Sequence, residues 1–400
     1  MIVKVTKFAN MLRMTELETL ESGLNPFSVL SQLRRESPVR FDENRNCWDV
    51  FPYEDVHRIL KDPKTFSSVR GAAANQNLLF MDPPKHHQLR DLVNKAFTPR
   101  AIQEFAPRIR DIAEDLLSQA TGAEMDVVHD FATPLPVIVI AELLGVPSSD
   151  RQHFKQWSDV LVESAEDLSD EAFEQIMQKR MKTFGELTDY FQGILKERAS
   201  EPKDDLVSAL MQAEIEGEKL SEQEIINFCI LLLAAGNETT TNLITNSFRV
   251  LTEQPQLQAE LAQDPGVIPT FIEEVLRYYP PIVSIGRVAK EDVQIGGSLI
   301  RKGDQVTTWV GAANRDESKF TDPDAFYKLR KPNPHMSFGF GIHFCLGAPL
   351  ARLEGHIAIE TLLQICHDIK LVPGREIVPI QSSFVFGLKN YPVTFERLAK

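Results

Sequence analysis

The stretch Phe338-Gly-Phe-Gly-Ile-His-Phe-Cys-Leu-Gly347 places one cysteine among three glycines, a histidine and aromatic rings, directly before the helical sequence APLARLEGHIAIETLLQI. A single cysteine is usually a small buried hydrophobe. Here Gly339, Gly341 and Gly347 let the backbone turn back, approach a flat partner closely, and leave N–H groups free to point at the sulfur. The helix that follows sets its positive end against Cys345, which lowers the thiol pKa and favours the thiolate. Zinc is a poor match, because His343-x-Cys345 has no second Cys/His pair at a useful spacing. The chemistry on offer is that of a single anionic sulfur.

Such a loop needs a scaffold, and the longest candidate begins at Ser221. Ser221 and Glu224 form an S-x-x-E capping box, and no proline appears until Pro255. That allows a helix of roughly 33 residues, about 50 Å long. Its apolar run, Cys229 to Ala235, gives way to Gly236 and then to consecutive polar residues, Asn237 to Asn242, before Leu243, Ile244 and Phe248 resume the apolar face. A helix emerging into solvent would explain the change, but the return of apolar residues favours an internal polar notch. Each unsatisfied polar group there would cost about 1–3 kcal/mol. Periodicity predicts further helices over 100–120, 134–144, 150–162, 171–198, 267–278 and 347–366, and strand-turn-strand units over 39–51 and 292–311. Glu274 and Arg277 stand at i, i+3 on one helical face, a spacing that most often marks a weak surface ion pair. The fold class is mainly α with a small β region.

Composition sets outer bounds. Of 400 residues 43% are apolar and 25% charged, enough for a large core, and no linker, low-complexity tract or repeat divides the chain. One domain spanning 1–400 is expected. The net charge of -14 makes nucleic acid and anionic membrane surfaces poor partners. Cys47, Cys229, Cys345 and Cys366 are scattered without paired spacing, and the first twenty residues are interrupted by Lys4, Lys7, Asn10 and Arg13. A cytoplasmic location is therefore expected, with no signal peptide or membrane anchor.

Phe-x-x-Gly-x-His-x-Cys-x-Gly resembles the haem-binding loop of cytochromes P450, and the resemblance covers nearly the whole chain. It implies a helical bundle enclosing haem b between the long central helix and the helix of the cysteine loop, with Cys345 as axial iron ligand. It places Phe338 near the sulfur, His343 facing a haem propionate, and Gly347 in the loop. MDPPKHHQLR resembles the motif that points His86 and Arg90 at the propionates, and Arg287 matches another propionate arginine. Glu274 and Arg277 match the family's ExxR pair, completed by Arg330, a structural triad beneath the haem. Tyr327 stands where an Asp is usual, and Lys85 where an acid is common. Ala235-Gly236-Asn237-Glu238-Thr239 resembles the oxygen-activating stretch: Ala235 and Gly236 leave room for O2, while Glu238 and Thr239 match the acid and alcohol that order water and deliver protons. The role of Asn237 is open. Thr239 can also bond back to a carbonyl four residues earlier, and both can hold at once.

The resemblance is strongest to soluble bacterial members that hydroxylate fatty acids, terpenoids and steroids. It implies a distal pocket lined by the loop from about Val69 to Leu79 and by Leu78, Leu232, Ala235, Ile282, Val283, Phe384 and Val385, all suited to a hydrophobic substrate. No flavin, ferredoxin or Rossmann fingerprint is present, so electrons should come from a separate ferredoxin or flavodoxin with its reductase. Arg352 and Lys95 are candidate contacts for that donor, and a monomer is expected. A peroxide-driven peroxygenase, a non-catalytic haem-thiolate sensor or carrier, and a helical scaffold without cofactor are the competing readings; retention of Glu238 and Thr239 argues against the first two.

Overall fold

Helices dominate the computed structural model, which describes residues 14–70, 77–120, 122–163 and 170–398. Those framing the site are α1 (Phe27–Glu36), α2 (Lys85–Ala96), α3 (Ala106–Gln119), α4 (Pro134–Leu143), α5 (Arg151–Val162), α6 (Asp170–Ser200), α7 (Glu222–Glu253), α8 (Ile268–Tyr278) and α9 (Ala348–Ile365). The capping box forms as expected: Glu224 N–H donates to Ser221 Oγ and Ser221 N–H donates to the Glu224 carboxylate. With no proline inside, α7 runs unbroken for 32 residues against α4, α5, α6 and α9. The helix expected over 100–120 is instead divided into Pro99–Glu104 and α3. Pro107 has no N–H to continue the ladder, and the chain tightens at Phe105, whose N–H donates to Ile102 O at 3.1 Å.

The main sheet comprises β1 (Val39–Asp42), β2 (Cys47–Val50), β3 (Phe66–Ser67), β4 (Ile285–Ala289) and β5 (Gln305–Thr308), in the order β1-β2-β5-β4-β3. The hairpin expected over 39–51 is β1 and β2, paired antiparallel. The 292–311 segment divides its strands between two sheets. Val293–Ile295 pairs with Ser298–Ile300 around Gly296 and Gly297, while β5 joins the main sheet, parallel to β2 and antiparallel to β4. β4 lies outside the expected strands, and it carries Arg287.

The principal core gathers Ile109, Val139, Ile244, Phe248, Phe271 and Ile359 from α3, α4, α7, α8 and α9. A smaller cluster under the main sheet includes Val50, Val56, Ile59, Val306 and Phe320. Burying each such side chain is worth about 1.5–3 kcal/mol, well above any helix-propensity difference, so packing holds α7 in place. Among the described residues no helix is long and apolar enough to cross a membrane.

Candidate active site

Residues from all these layers meet around a cavity of about 960 Å³. On one wall the loop 338–347 turns back on itself, with Cys345 N–H donating to Phe338 O at 2.9 Å. Gly341 has φ +72°, and a Cβ there would sit 2.7 Å from Leu60 O, so only glycine fits. Cys345 is exposed, and the surface it opens onto is that of the cavity. Burial pushes its thiol pKa up, against the opposing pull of the Gly347 and Ala348 N–H groups, Arg90 and Arg352. The helix end thus acts in the expected direction, but burial outweighs it and the net shift is upward; a cation bound at the sulfur would favour the thiolate.

At the rim lie Arg70, His86, Arg90, Arg287 and His343. Burial, compounded by mutual repulsion, lowers Arg287 to about 10 and the imidazoles of His86 and His343 to about 4 and 3; Asp82 offsets part of this at Arg287 and His86. Burial alone lowers Arg70 to about 10. Both ring nitrogens of His86 and Nε2 of His343 are buried without a hydrogen-bond partner, and the two rings lie 4.2 Å apart. Such a cluster calls for an anion with several acceptor oxygens. A flat group bearing a metal and carboxylates satisfies both walls at once, so the residues fit a haem.

The opposite wall is α7. The expected polar notch is internal, and it is satisfied in part: Asn237 Nδ2 donates to Ser158 Oγ on α5 at 2.6 Å and Thr241 Oγ1 donates to Ala132 O at 3.1 Å, whereas both side-chain polar atoms of Asn242 are buried without a partner among the described residues. This gives Asn237 a role, that of tying α7 to α5. Ala235, Gly236, Glu238 and Thr239 all line the cavity, and Thr239 Oγ1 donates to Ala235 O at 2.7 Å. Burial raises Glu238 to about 7, while the charge of Arg180 on α6 lowers it somewhat. Arg180 also lines the cavity; its Nη2 donates to Glu163 O at 2.8 Å and its Nε is buried without a partner among the described residues.

Glu274 and Arg277 form no surface pair: both side chains are 0% exposed. Arg277 donates twice to Glu274 at 2.8 Å, and Arg330 Nε, Asn333 Nδ2 and Tyr327 N–H also converge on that carboxylate at 2.9, 3.2 and 2.9 Å. Tyr327 contributes through its backbone, so its side-chain type leaves this junction unchanged. Lys85 pairs with Glu224 at 3.2 Å.

Leu78, Leu232, Ala235, Ile282, Phe384 and Val385 line the cavity as expected. Val283 does not. Ile282 bridges to Val385 at the cavity, and the alternation of an extended chain turns the next side chain into the core, where Val283 is 2% exposed and packs on Gly311. In the expected pocket loop, residues 71–76 lie outside the described residues. Arg352 is held by Glu273 at 2.6 Å, and Lys95 donates to Glu214 O. Sequence reasoning missed Arg70, Arg180 and Glu354. Glu354 on α9 lines the cavity, is fully buried with Oε2 unpartnered, and is raised to about 8 by burial.

Comparison with known proteins agrees with this geometry. The family model described as Cytochrome P450 matches residues 43–397. "Cytochrome P450 109" of Bacillus spizizenii is 51% identical over 392 residues, covering 98% of this chain and 96% of the relative. Substrate-free CYP109E1 from Bacillus megaterium superimposes with a TM-score of 0.89 at 44% identity, covering 93% and 98% of the two chains. The complex of the same enzyme with testosterone gives 0.87 at 43% identity, covering 92% and 99%. The chain belongs to the cytochrome P450 family of haem-iron monooxygenases.

Proposed function

We propose that the protein inserts one oxygen atom from O2 into a hydrophobic fatty acid, terpenoid or steroid, with haem b held by Cys345 and electrons from a separate ferredoxin or flavodoxin. The carrying observation is the shared cavity, with a sulfur on one wall, three arginines at its rim that lack a carboxylate partner among the described residues, and an acid–alcohol pair on α7. When bound, the haem supplies the iron at which O2 is activated. The protein's own part is distributed around it. Cys345 would hold the iron as thiolate, Arg70, Arg90 and Arg287 would neutralise the propionates, and His86 and His343 would donate hydrogen bonds to them. Phe338 opens the loop, Ala235 keeps the α7 wall low, and Gly236 lets Ile140 of α4 approach, since a Cβ there would lie 2.5 Å from its Cδ1. Thr239, whose hydrogen is given to Ala235 O, offers its oxygen lone pairs to a water in the cavity. Glu238, raised to about 7, can take a proton from solvent and return it toward that water at neutral pH.

The apolar lining by Leu78, Leu232, Ile282, Phe384 and Val385 supports a hydrophobic substrate, and the complexes of one relative, CYP109E1, with testosterone and corticosterone support including steroids. The same reading takes residues 1–400 as one domain acting as a cytoplasmic monomer. The test is optical. The ferrous CO complex of the native protein should carry the red-shifted band of thiolate ligation, and Cys345→Ser should abolish it together with substrate turnover. A native band and full turnover in Cys345→Ser would sink the reading.

A further inference from the structure

The pair Glu273-Glu274 on α8 divides its labour by direction. Successive residues point about 100° apart on a helix, so with Glu274 turned into the core, Glu273 faces the segment leading into the cysteine loop. Its carboxylate accepts from Arg352 Nε at 2.6 Å and Nη2 at 3.0 Å, and it lies 3.1 Å from His335 Nε2. Ser337 N–H donates to His335 Nδ1 at 3.3 Å, so Nδ1 is the acceptor nitrogen and the ring proton sits on Nε2, aimed at Glu273. Arg352 in turn lies over the Phe338 ring, 4.5 Å from its centroid, and Phe338 O accepts the Cys345 N–H. One carboxylate therefore ties down both Arg352, which covers the Phe338 ring, and His335, which holds the backbone one residue before it.

The charges line up with the contacts. Arg352 stands on the second turn of the helix that follows Cys345 and lies over the Phe338 ring, so its positive charge acts on the loop that holds the sulfur. Glu273, although burial pushes its pKa up, is held down to about 2 by His335 and Arg352 and is ionised at working pH. Its negative charge, bonded directly to Arg352, opposes the field of that guanidinium.

We propose that Glu273 is a positioning residue for the haem-thiolate centre, offsetting Arg352 and so setting the reduction potential of the iron it never touches. This rests on the reading of Cys345 as axial ligand. Hydrogen bonding and charge around a ligating sulfur are known levers on potential. Potentiometric titration of the haem-loaded protein tests it, with haem content and the ferrous CO band recorded alongside. Glu273→Gln should shift the potential positive, because the unopposed arginine stabilises the more negative reduced centre. Arg352→Gln should shift it negative, and the double variant should return toward native. Arg352→Lys, which keeps the charge but loses the paired bonds, should stay near native; it also serves if Glu273→Gln loads haem poorly. Shifts of the same sign in both glutamine variants, an unmoved potential in Glu273→Gln, or an Arg352→Lys shift as large as that of Arg352→Gln would overturn the proposal. A native protein lacking the thiolate CO band would instead sink the assignment of Cys345.

Discussion

A carboxyl group with a pKa near 7 exchanges protons readily at the pH where most enzymes work, and burial brings Glu238 to about that value. In the proposed relay its partner is Thr239, one residue on, with its hydroxyl already oriented by Ala235 O. Thr239→Ala should leave haem and substrate binding intact while diverting reducing equivalents to peroxide; product formed per NAD(P)H consumed measures this, and unchanged coupling would remove Thr239 from the relay. For Glu238 the readout is pH. Turnover should titrate with an apparent pKa near 7, and Glu238→Gln should abolish that inflection. Arg180 lowers the Glu238 pKa, so Arg180→Gln should move the inflection to higher pH; no movement would mean that the two charges are uncoupled in the working enzyme.

Elements explain what could be read in advance. The cysteine loop, the capping box of α7 and the ExxR pair are local patterns whose spacing carries their geometry, and all three fold as expected. Arg70, Arg180 and Glu354 have no such local mark: each looks like an ordinary charge on a helix or loop until the fold brings it, half-paired or unpaired, to the cavity wall. Val283 failed for the converse reason, since an apolar side chain beside a cavity and one in the core differ only in which way the strand alternates. The division at Phe105 was visible in Pro107 and was overridden by the periodicity around it. The loop itself makes the element-scale prediction. Gly341→Ala would force a positive-φ residue with its Cβ 2.7 Å from Leu60 O. A destabilisation of about 1–3 kcal/mol is expected, with reduced haem content, whereas alanine at Gly297, which has open space but also a positive φ, should cost less and leave haem content unchanged. Equal haem loss in both would mean that the contact with Leu60 is immaterial.

Across the whole molecule, the buried ionisable groups pull stability in opposite directions as pH changes. His86 and His343 have folded pKa values of about 4 and 3, below the ordinary 6.5, so the unfolded chain binds more protons below pH 6.5 and stability is lost as pH falls into that range. Glu238 and Glu354 are raised from 4.5 to about 7 and 8, so the folded chain binds more protons above pH 4.5 and stability is lost as pH rises through those values. Between about pH 4.5 and 6.5 the two pairs oppose each other; above 6.5 only the carboxyls remain. In the haem-free protein the melting temperature should therefore be nearly flat over the lower window and fall between pH 6.5 and 8. Glu354→Gln should flatten the upper limb, since its amide has no proton to lose. Haem loading adds carboxylates beside the imidazoles, which raises their pKa values and reduces the acid-side loss. A melting temperature that rises from pH 6.5 to 8, or an upper limb unchanged in Glu354→Gln, would mean that solvent or a neighbouring proton acceptor reaches these carboxyls and that the cavity wall is wetter than its packing implies.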